Sequence, residues 1–174
     1  MIRRGVWGLL SVWLLVAVRS APVIKADDAL APEARADRVI VHKKEHTLTL
    51  LREDKTLKTY KVALGGNVVG PKTQLGDHKT PEGAYVLDRR NEHSHFYRSI
   101  HISYPNPEDR ERAKQAGVDA GGEIMTHGLQ NGLGWVGSLH RLHDWTDGCI
   151  AVTDEEMDEI WRAVPDGTPI EIDP

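Results

Sequence analysis

"LHDWTDGCIAVTDEE", Leu142 to Glu156, carries the only cysteine of the chain, Cys149. The polar run ends in Gly148, a residue that lets the backbone turn tightly before the cysteine. "CIAV" then reads as a short buried strand. Thr153, followed three residues later by Glu156, has the spacing of a helix capping box, and the acids of the first turn suit the helix dipole. The stretch therefore predicts a loop, a strand that opens on the cysteine, and a helix, "TDEEMDEIWRAV". A lone cysteine makes no internal disulfide, so Cys149 is a small core residue, a metal ligand or a nucleophile.

Working outward, most segments alternate in the manner of strands. "RVIVHKKEHTLTLLRE" from Arg38 reads as a hairpin around "HKKEH", and "KTYKVALGG" as a third strand ended by Gly65 and Gly66. A turn at Thr80–Gly83 precedes a strand from Ala84 to Arg89. "FYRSIHISYP" alternates again, with Ile100 and Ile102 on one side and His101 on the other. "NPEDRERAKQAGV" is a helix, capped by Asn106, with Pro107 in its first position and Gly117 closing it. "GGEIMTHG" is a short strand running into His127, and the glycine-bearing segment from Leu129 to Gly148 is a loop long enough to be functional. "PDGTPIEI" supplies a turn and a last strand. With 16 glycines and 9 prolines marking turns, the fold class is mainly β with two short helices.

Before this domain, "MIRRGVWGLLSVWLLVAVRSAP" has the layout of a secretory signal: Arg3 and Arg4, an apolar run from Val6 to Val18, then small residues at Ser20 and Ala21. It is short for a membrane span, and the alternative reading is an uncleaved membrane anchor. The expected organisation is a signal peptide over 1–20, a linker over 21–36 rich in alanine, proline and acids, and one catalytic domain over 37–174. Cleavage after Ser20 removes three arginines and takes the formal net charge from −4 to −7. That charge, with no basic block, argues against nucleic acid as partner. No cysteine follows the apolar run, which excludes a lipoprotein. The mature protein is expected across the cytoplasmic membrane, in a periplasm or cell-wall space, without stable membrane insertion. A single unpaired cysteine in that oxidising setting points to a reactive thiol.

A thiol becomes a nucleophile when a neighbour takes its proton, usually histidine. His127 ends a strand and is followed by Gly128, so its ring can face a cleft while the backbone passes close by. The amides of Gly148 and Cys149, left free by a tight turn, would suit a developing oxyanion. Cysteine at one strand start and histidine at another strand end are the parts of an acyl-transfer site.

These residues resemble the catalytic signature of the L,D-transpeptidase (YkuD-type) domain, a histidine followed by a small residue, a loop, then Ser/Thr–x–Gly–Cys. "GDHKTPEG" is similar to the family's upstream turn and "SIHISYPN" to its substrate-side strand, and the likeness runs from Arg38 to Ile172. The resemblance implies a mixed β-sandwich with Cys149 as nucleophile and His127 as base. It further implies that the Gly128 backbone orients the imidazole and that Thr146 and Gly148 shape the pocket. The implied reaction is attack on the third residue of a peptidoglycan stem peptide, release of the terminal D-alanine, and capture of the thioacyl enzyme by an amine. That amine belongs to another stem or to a wall-attached protein; in some relatives water takes its place or an existing link is cut. No metal or organic cofactor is implied. This chain departs from the family in having Asp147 where histidine is common, Ala151 where arginine is common, and eighteen residues between His127 and Thr146.

Each residue also has a structural reading. Cys149 alone would be a buried thiol, and His127 a satisfied core histidine. His140 and His143 read as cleft residues that contact substrate, although with His127 and Cys149 they also make a possible zinc set. Arg98 reads equally as a substrate-carboxylate ligand or a solvated cation. Trp135, Trp145 and Trp161 read as packing residues, with Trp135 in the loop also offered to substrate. Asp147 either replaces the family histidine or caps the turn. It is expected to point away from the sulfur, towards His140, His143 or loop amides. Two other functions stay open, a peptidoglycan L,D-carboxypeptidase or amidase using the same pair, and a non-catalytic wall-binding module.

Overall fold

The computed structural model describes residues 29–174. The signal-like segment therefore lies outside the described residues, as does the first half of the linker. Eight strands form one mixed sheet: β1 Arg38–His42, β2 Thr47–Arg52, β3 Lys55–Lys61, β4 Gly83–Asn91, β5 Ser99–Ile102, β6 Met125–His127, β7 Ile150–Ala151 and β8 Thr168–Asp173. Their order is β3-β2-β1-β8-β4-β5-β6-β7. Two α-helices, α1 Pro107–Ala116 and α2 Asp154–Ala163, and a 3-10 helix at Gly134–Leu142 complete the domain. The expected mainly β fold is what forms.

Alternation places the strands. In β1 Val39 and Val41 point inward, and β2 answers with Leu48 and Leu50, all at most 1% exposed. On β5 Ile100 and Ile102 are fully buried, while His101 faces the other way and bonds Asp88 at 2.7 Å. β8 returns from α2 to lie parallel to β1 and antiparallel to β4, inserting Ile170 and Ile172 into the core. Helix α2 buries Met157, Ile160 and Ala163, one stripe at helical spacing.

Both caps form as the sequence predicts. The Asn106 side chain accepts from the Asp109 amide and Gly117 closes α1 at φ 68°, while Thr153 and Glu156 exchange bonds at the start of α2. Residues 29–36, read as linker, instead lie against α2. The Leu30 amide donates to Glu159 at 3.0 Å, the Ala36 amide donates to the Ala163 carbonyl at 2.8 Å, and both residues are buried.

The third strand also differs from the expectation that it runs up to Gly65 and Gly66. The strand ends at Lys61, the Val62 amide makes a last bond to the His46 carbonyl at 3.0 Å, and Val62, Ala63 and Leu64 are all buried, at 1%, 1% and 0% exposure. Consecutive burial has a simple cause: this segment crosses to the far edge of the sheet. Ala63 pairs there with Ala151 of β7, donating and accepting at 3.0 and 2.9 Å. The sheet therefore curls until its first and last edges meet.

Candidate active site

The site lies where β6 and β7 run side by side. They are parallel, with Thr126 opposite Ile150 and His127 opposite Ala151. Side chains in a strand alternate between faces, so Cys149, one residue before Ile150, shares the face of His127 as its diagonal neighbour. Both residues line one cavity of about 590 Å³. His127 is only 4% exposed, and Cys149 is partly exposed.

The turn before the cysteine is held by three pieces of chain. Thr146 Oγ1 donates to the Cys149 carbonyl at 2.7 Å and accepts from the Gly148 amide at 3.2 Å. That bond corrects the expectation of a free Gly148 amide: the small turn satisfies it internally. Gly148 sits at φ 122°, and a Cβ there would come 2.4 Å from the Lys79 carbonyl. Gly65, on the crossing segment, backs onto it, and its amide donates to the buried Thr80 hydroxyl at 3.0 Å. Thr80 belongs to "GDHKTPEG", so the turn motif, the crossing segment and the cysteine turn lock against one another. Asp77 of the same motif organises the turn. Burial opposes its charge, but Lys72 at 2.8 Å and the amides of Thr73, Gln74 and Lys79 hold its carboxyl at about 2. Gly148→Ala should cost stability from its backbone conformation alone, about 1–3 kcal/mol, read as a lower urea midpoint.

His127 Nδ1 lies 2.6 Å from the Gly128 carbonyl oxygen. A carbonyl only accepts, so Nδ1 carries the hydrogen and the Nε2 lone pair is left for a proton. Phe96 and Trp145 flank the imidazole, with centroids 4.7 and 5.8 Å away. Burial holds the imidazole below its usual pKa, opposed by the Gly128 carbonyl. Burial likewise pushes the Cys149 thiol up to about 11; the Met125 amide and Lys72 work against that rise, and Asp147 and Glu123 add to it. The Sγ hydrogen is directed at the Glu123 carbonyl, 3.7 Å away. Burial thus opposes charge on both groups, which disfavours a resting thiolate–imidazolium pair.

That electrostatic state has a measurable result. Alkylation of Cys149 by a neutral haloacetamide should rise about tenfold per pH unit from pH 7 to roughly pH 10. A plateau below pH 8 would instead mean a preformed thiolate–imidazolium pair. Asp147→Asn removes a charge that raises the thiol, so the profile should move down. The carboxylate is 88% exposed, so screening should keep that move well under one unit.

The other residues singled out in the sequence divide. Thr146 and Asp147 line the cavity with the cysteine and histidine. Asp147 does not turn to His140, His143 or loop amides, a correction to that expectation. It bonds His78 Nδ1 at 2.6 Å, because the "GDHKTPEG" turn packs beside it. His140 and His143 line a neighbouring cavity of about 210 Å³, separated from the first by Trp145, which borders both. Burial lowers His140 to about 4, helped by Arg141 and His127. Among the described residues no three His, Cys, Asp or Glu side chains gather as a metal site. Arg98 lies outside the cavity lining, paired with Asp158 at 2.8 Å and stacked on Tyr97 and Trp161. Trp135 is 81% exposed, on the 3-10 helix, and also outside that lining.

Sequence reasoning missed Ser94, His95 and Phe96, which line the cavity from the β4–β5 connection. Their signal was the hairpin register: Ser99 pairs with His127, so the connection before Ser99 overhangs the histidine. It also missed the 3-10 helix in the long loop, which is broken at Gly137 (φ 51°, ψ −139°).

Fold and cavity together bring a cysteine and a histidine into one cleft at the end of a curled mixed sheet. The family model of YkuD, the L,D-transpeptidase catalytic domain, matches residues 36–172, and the chain belongs to that family. It is 30% identical over 130 residues to the putative L,D-transpeptidase YafK of Escherichia coli (strain K12), covering 71% of this chain and 45% of that protein. The chain thus spans about half the length of the curated relatives it matches. Pgp2 from Campylobacter jejuni, a helical cell shape determining protein, superposes with a TM-score of 0.60 at 25% identity, over 80% of this chain and 48% of Pgp2. An L,D-transpeptidase from Xylanimonas cellulosilytica shares the fold, with a TM-score of 0.54 at 15% identity over 82% and 63% of the two chains.

Proposed function

We propose that this chain is an exported cysteine acyltransferase, an L,D-transpeptidase that acts on peptidoglycan stem peptides in wall cross-linking or remodelling. The observation that carries the reading is that Cys149 lines one cavity with a histidine whose Nδ1 hydrogen is tied to the Gly128 carbonyl. Family membership supports the substrate class, and the likeness to Pgp2, which determines helical cell shape, supports a part in wall remodelling. The signal-like first twenty residues support export. Among the described residues no helix is long and apolar enough to cross a membrane.

Because burial opposes charge on both groups, the proton moves during attack. Cys149 Sγ bonds to the stem carbonyl carbon as its hydrogen passes to His127 Nε2. The tetrahedral adduct then collapses, the peptide C–N bond breaks, and the imidazolium gives its proton to the departing amine. An acceptor amine, from a second stem or a wall-attached protein, attacks the thioester and surrenders a proton to His127. Sulfur leaves and is reprotonated. The chemistry uses no cofactor. Phe96 and Trp145 keep bulk water from the imidazole, which favours proton transfer along the reaction path over the resting ion pair.

Incubating the full chain with tetrapeptide muropeptides, followed by mass spectrometry, tests the proposal. Cross-linked dimers are expected. Shortened stems or released wall-attached protein without dimers would assign the same pair to hydrolysis. Unchanged muropeptides with no thioacyl adduct would leave a wall-binding module.

A further inference from the structure

We propose that Asp154 is a positioning residue for His127, acting through the Gly128–Leu129 peptide; the inference rests on the acyl-transfer reading above. The two ends of that one peptide unit are both occupied. Its carbonyl accepts from His127 Nδ1 at 2.6 Å, and its amide donates to Asp154 Oδ1 at 2.8 Å. In a trans peptide the C=O and N–H point in opposite directions. The result is a chain of carboxylate, peptide and imidazole, with the amide plane standing where many such sites have a carboxylate in direct contact.

The surroundings are shaped for this carboxylate. A Cβ at Gly128 would lie 2.7 Å from Asp154 Oδ1 and 2.9 Å from the Tyr97 Cβ. A Cβ at Gly134 would lie 2.4 Å from Asp154 Oδ2. Each oxygen thus fills the space a side chain would take at a glycine. Asp154 opens α2, five residues after Cys149 on the same segment. The piece of chain that carries the thiol therefore also holds the orientation of its base.

A negative oxygen on the amide side polarises the peptide and strengthens the carbonyl as an acceptor, since hydrogen bonds in series reinforce one another. Loss of Asp154 leaves the Gly128 carbonyl in place, so the imidazole tautomer survives while its orientation loosens. The effect should be smaller than loss of the base and larger than a surface change, about 10- to 100-fold in the chemical step.

The test uses the full chain with a carbapenem, the β-lactam class that the family resemblance implies will acylate the sulfur, alongside ¹⁵N NMR of the His127 ring. Asp154→Ala should lower the first-order acylation rate by that factor at unchanged reversible affinity, and the Nδ1 hydrogen signal should shift upfield and exchange faster. Asp154→Asn, which keeps an acceptor oxygen, should recover to within about threefold of wild type. Gly134→Ala displaces the carboxylate without touching either partner and should reproduce the defect; it also covers the case in which Asp154→Ala does not fold. Wild-type acylation in both Asp154→Ala and Gly134→Ala overturns the proposal. So does a slowed rate with an unmoved His127 signal, or an asparagine variant no better than alanine. If wild-type protein takes no adduct, the acyl-transfer reading fails by itself, and the NMR arm still decides whether Asp154 holds the imidazole.

Discussion

Cys149→Ala is expected to remove every covalent adduct while the domain stays folded. Intact-mass analysis after carbapenem treatment should show one adduct on the native chain and none on the variant, with muropeptide turnover lost in parallel. The fold should tolerate the change because the side chain sits partly exposed at a cavity wall. Its contact with the Glu123 carbonyl is long, at 3.7 Å. Neither the Thr146 bonds nor the Gly148 turn depends on sulfur. An adduct that persists on Cys149→Ala would place the nucleophile elsewhere and would falsify the assignment.

His127→Ala should slow acylation by on the order of 10²–10⁴. The effect belongs at the upper end of that range because the thiol, at about 11, supplies little thiolate by itself. Truncation also opens a space between Phe96 and Trp145, so added imidazole should restore part of the rate. The pH dependence follows from the sign of the shift. His127 is held below its usual value by burial, so it remains a base into mildly acidic solution, and the rate should fall only once the pH drops below about 6.5. The same depression means that the unfolded chain binds a proton there which the folded chain refuses. Stability from this residue is therefore whole above about pH 6.5 and declines as the pH falls. A variant with near-native rate and no imidazole response would remove His127 from the mechanism.

The strands, caps and the two singled-out catalytic candidates were legible because each is a local pattern. Alternation marks Val39, Val41, Ile100 and Ile102, the Thr153–Glu156 spacing marks α2, and the Gly–Cys and His–Gly pairs mark two strand ends that the topology joins. What stayed hidden depends on contacts between distant segments. The His78–Asp147 bond needs the upstream turn to pack on the cysteine turn. The exit of the chain at Val62 needs a far edge to receive it. Arg98 looked free on its alternating strand, and only the packing of α2 supplies Asp158 and Trp161 as its partners. The exposed Trp135 shows the converse: a loop aromatic announces nothing about which way the loop will fold.

The meeting of the sheet's two edges has a consequence for how the protein acquires its chemistry. Strand β7 is two residues long and is gripped by β6 on one side and by Ala63 on the other, partners from opposite halves of the chain. Contacts of such long sequence separation carry a large loop-closure cost, so the strand that opens on Cys149 is complete only once both halves of the chain are in place. Until then Cys149 is an ordinary solvated cysteine with a pKa near 8.5, more open to oxidation and alkylation at neutral pH than the finished protein. Completing the curl buries the thiol in the cavity that His127 also lines.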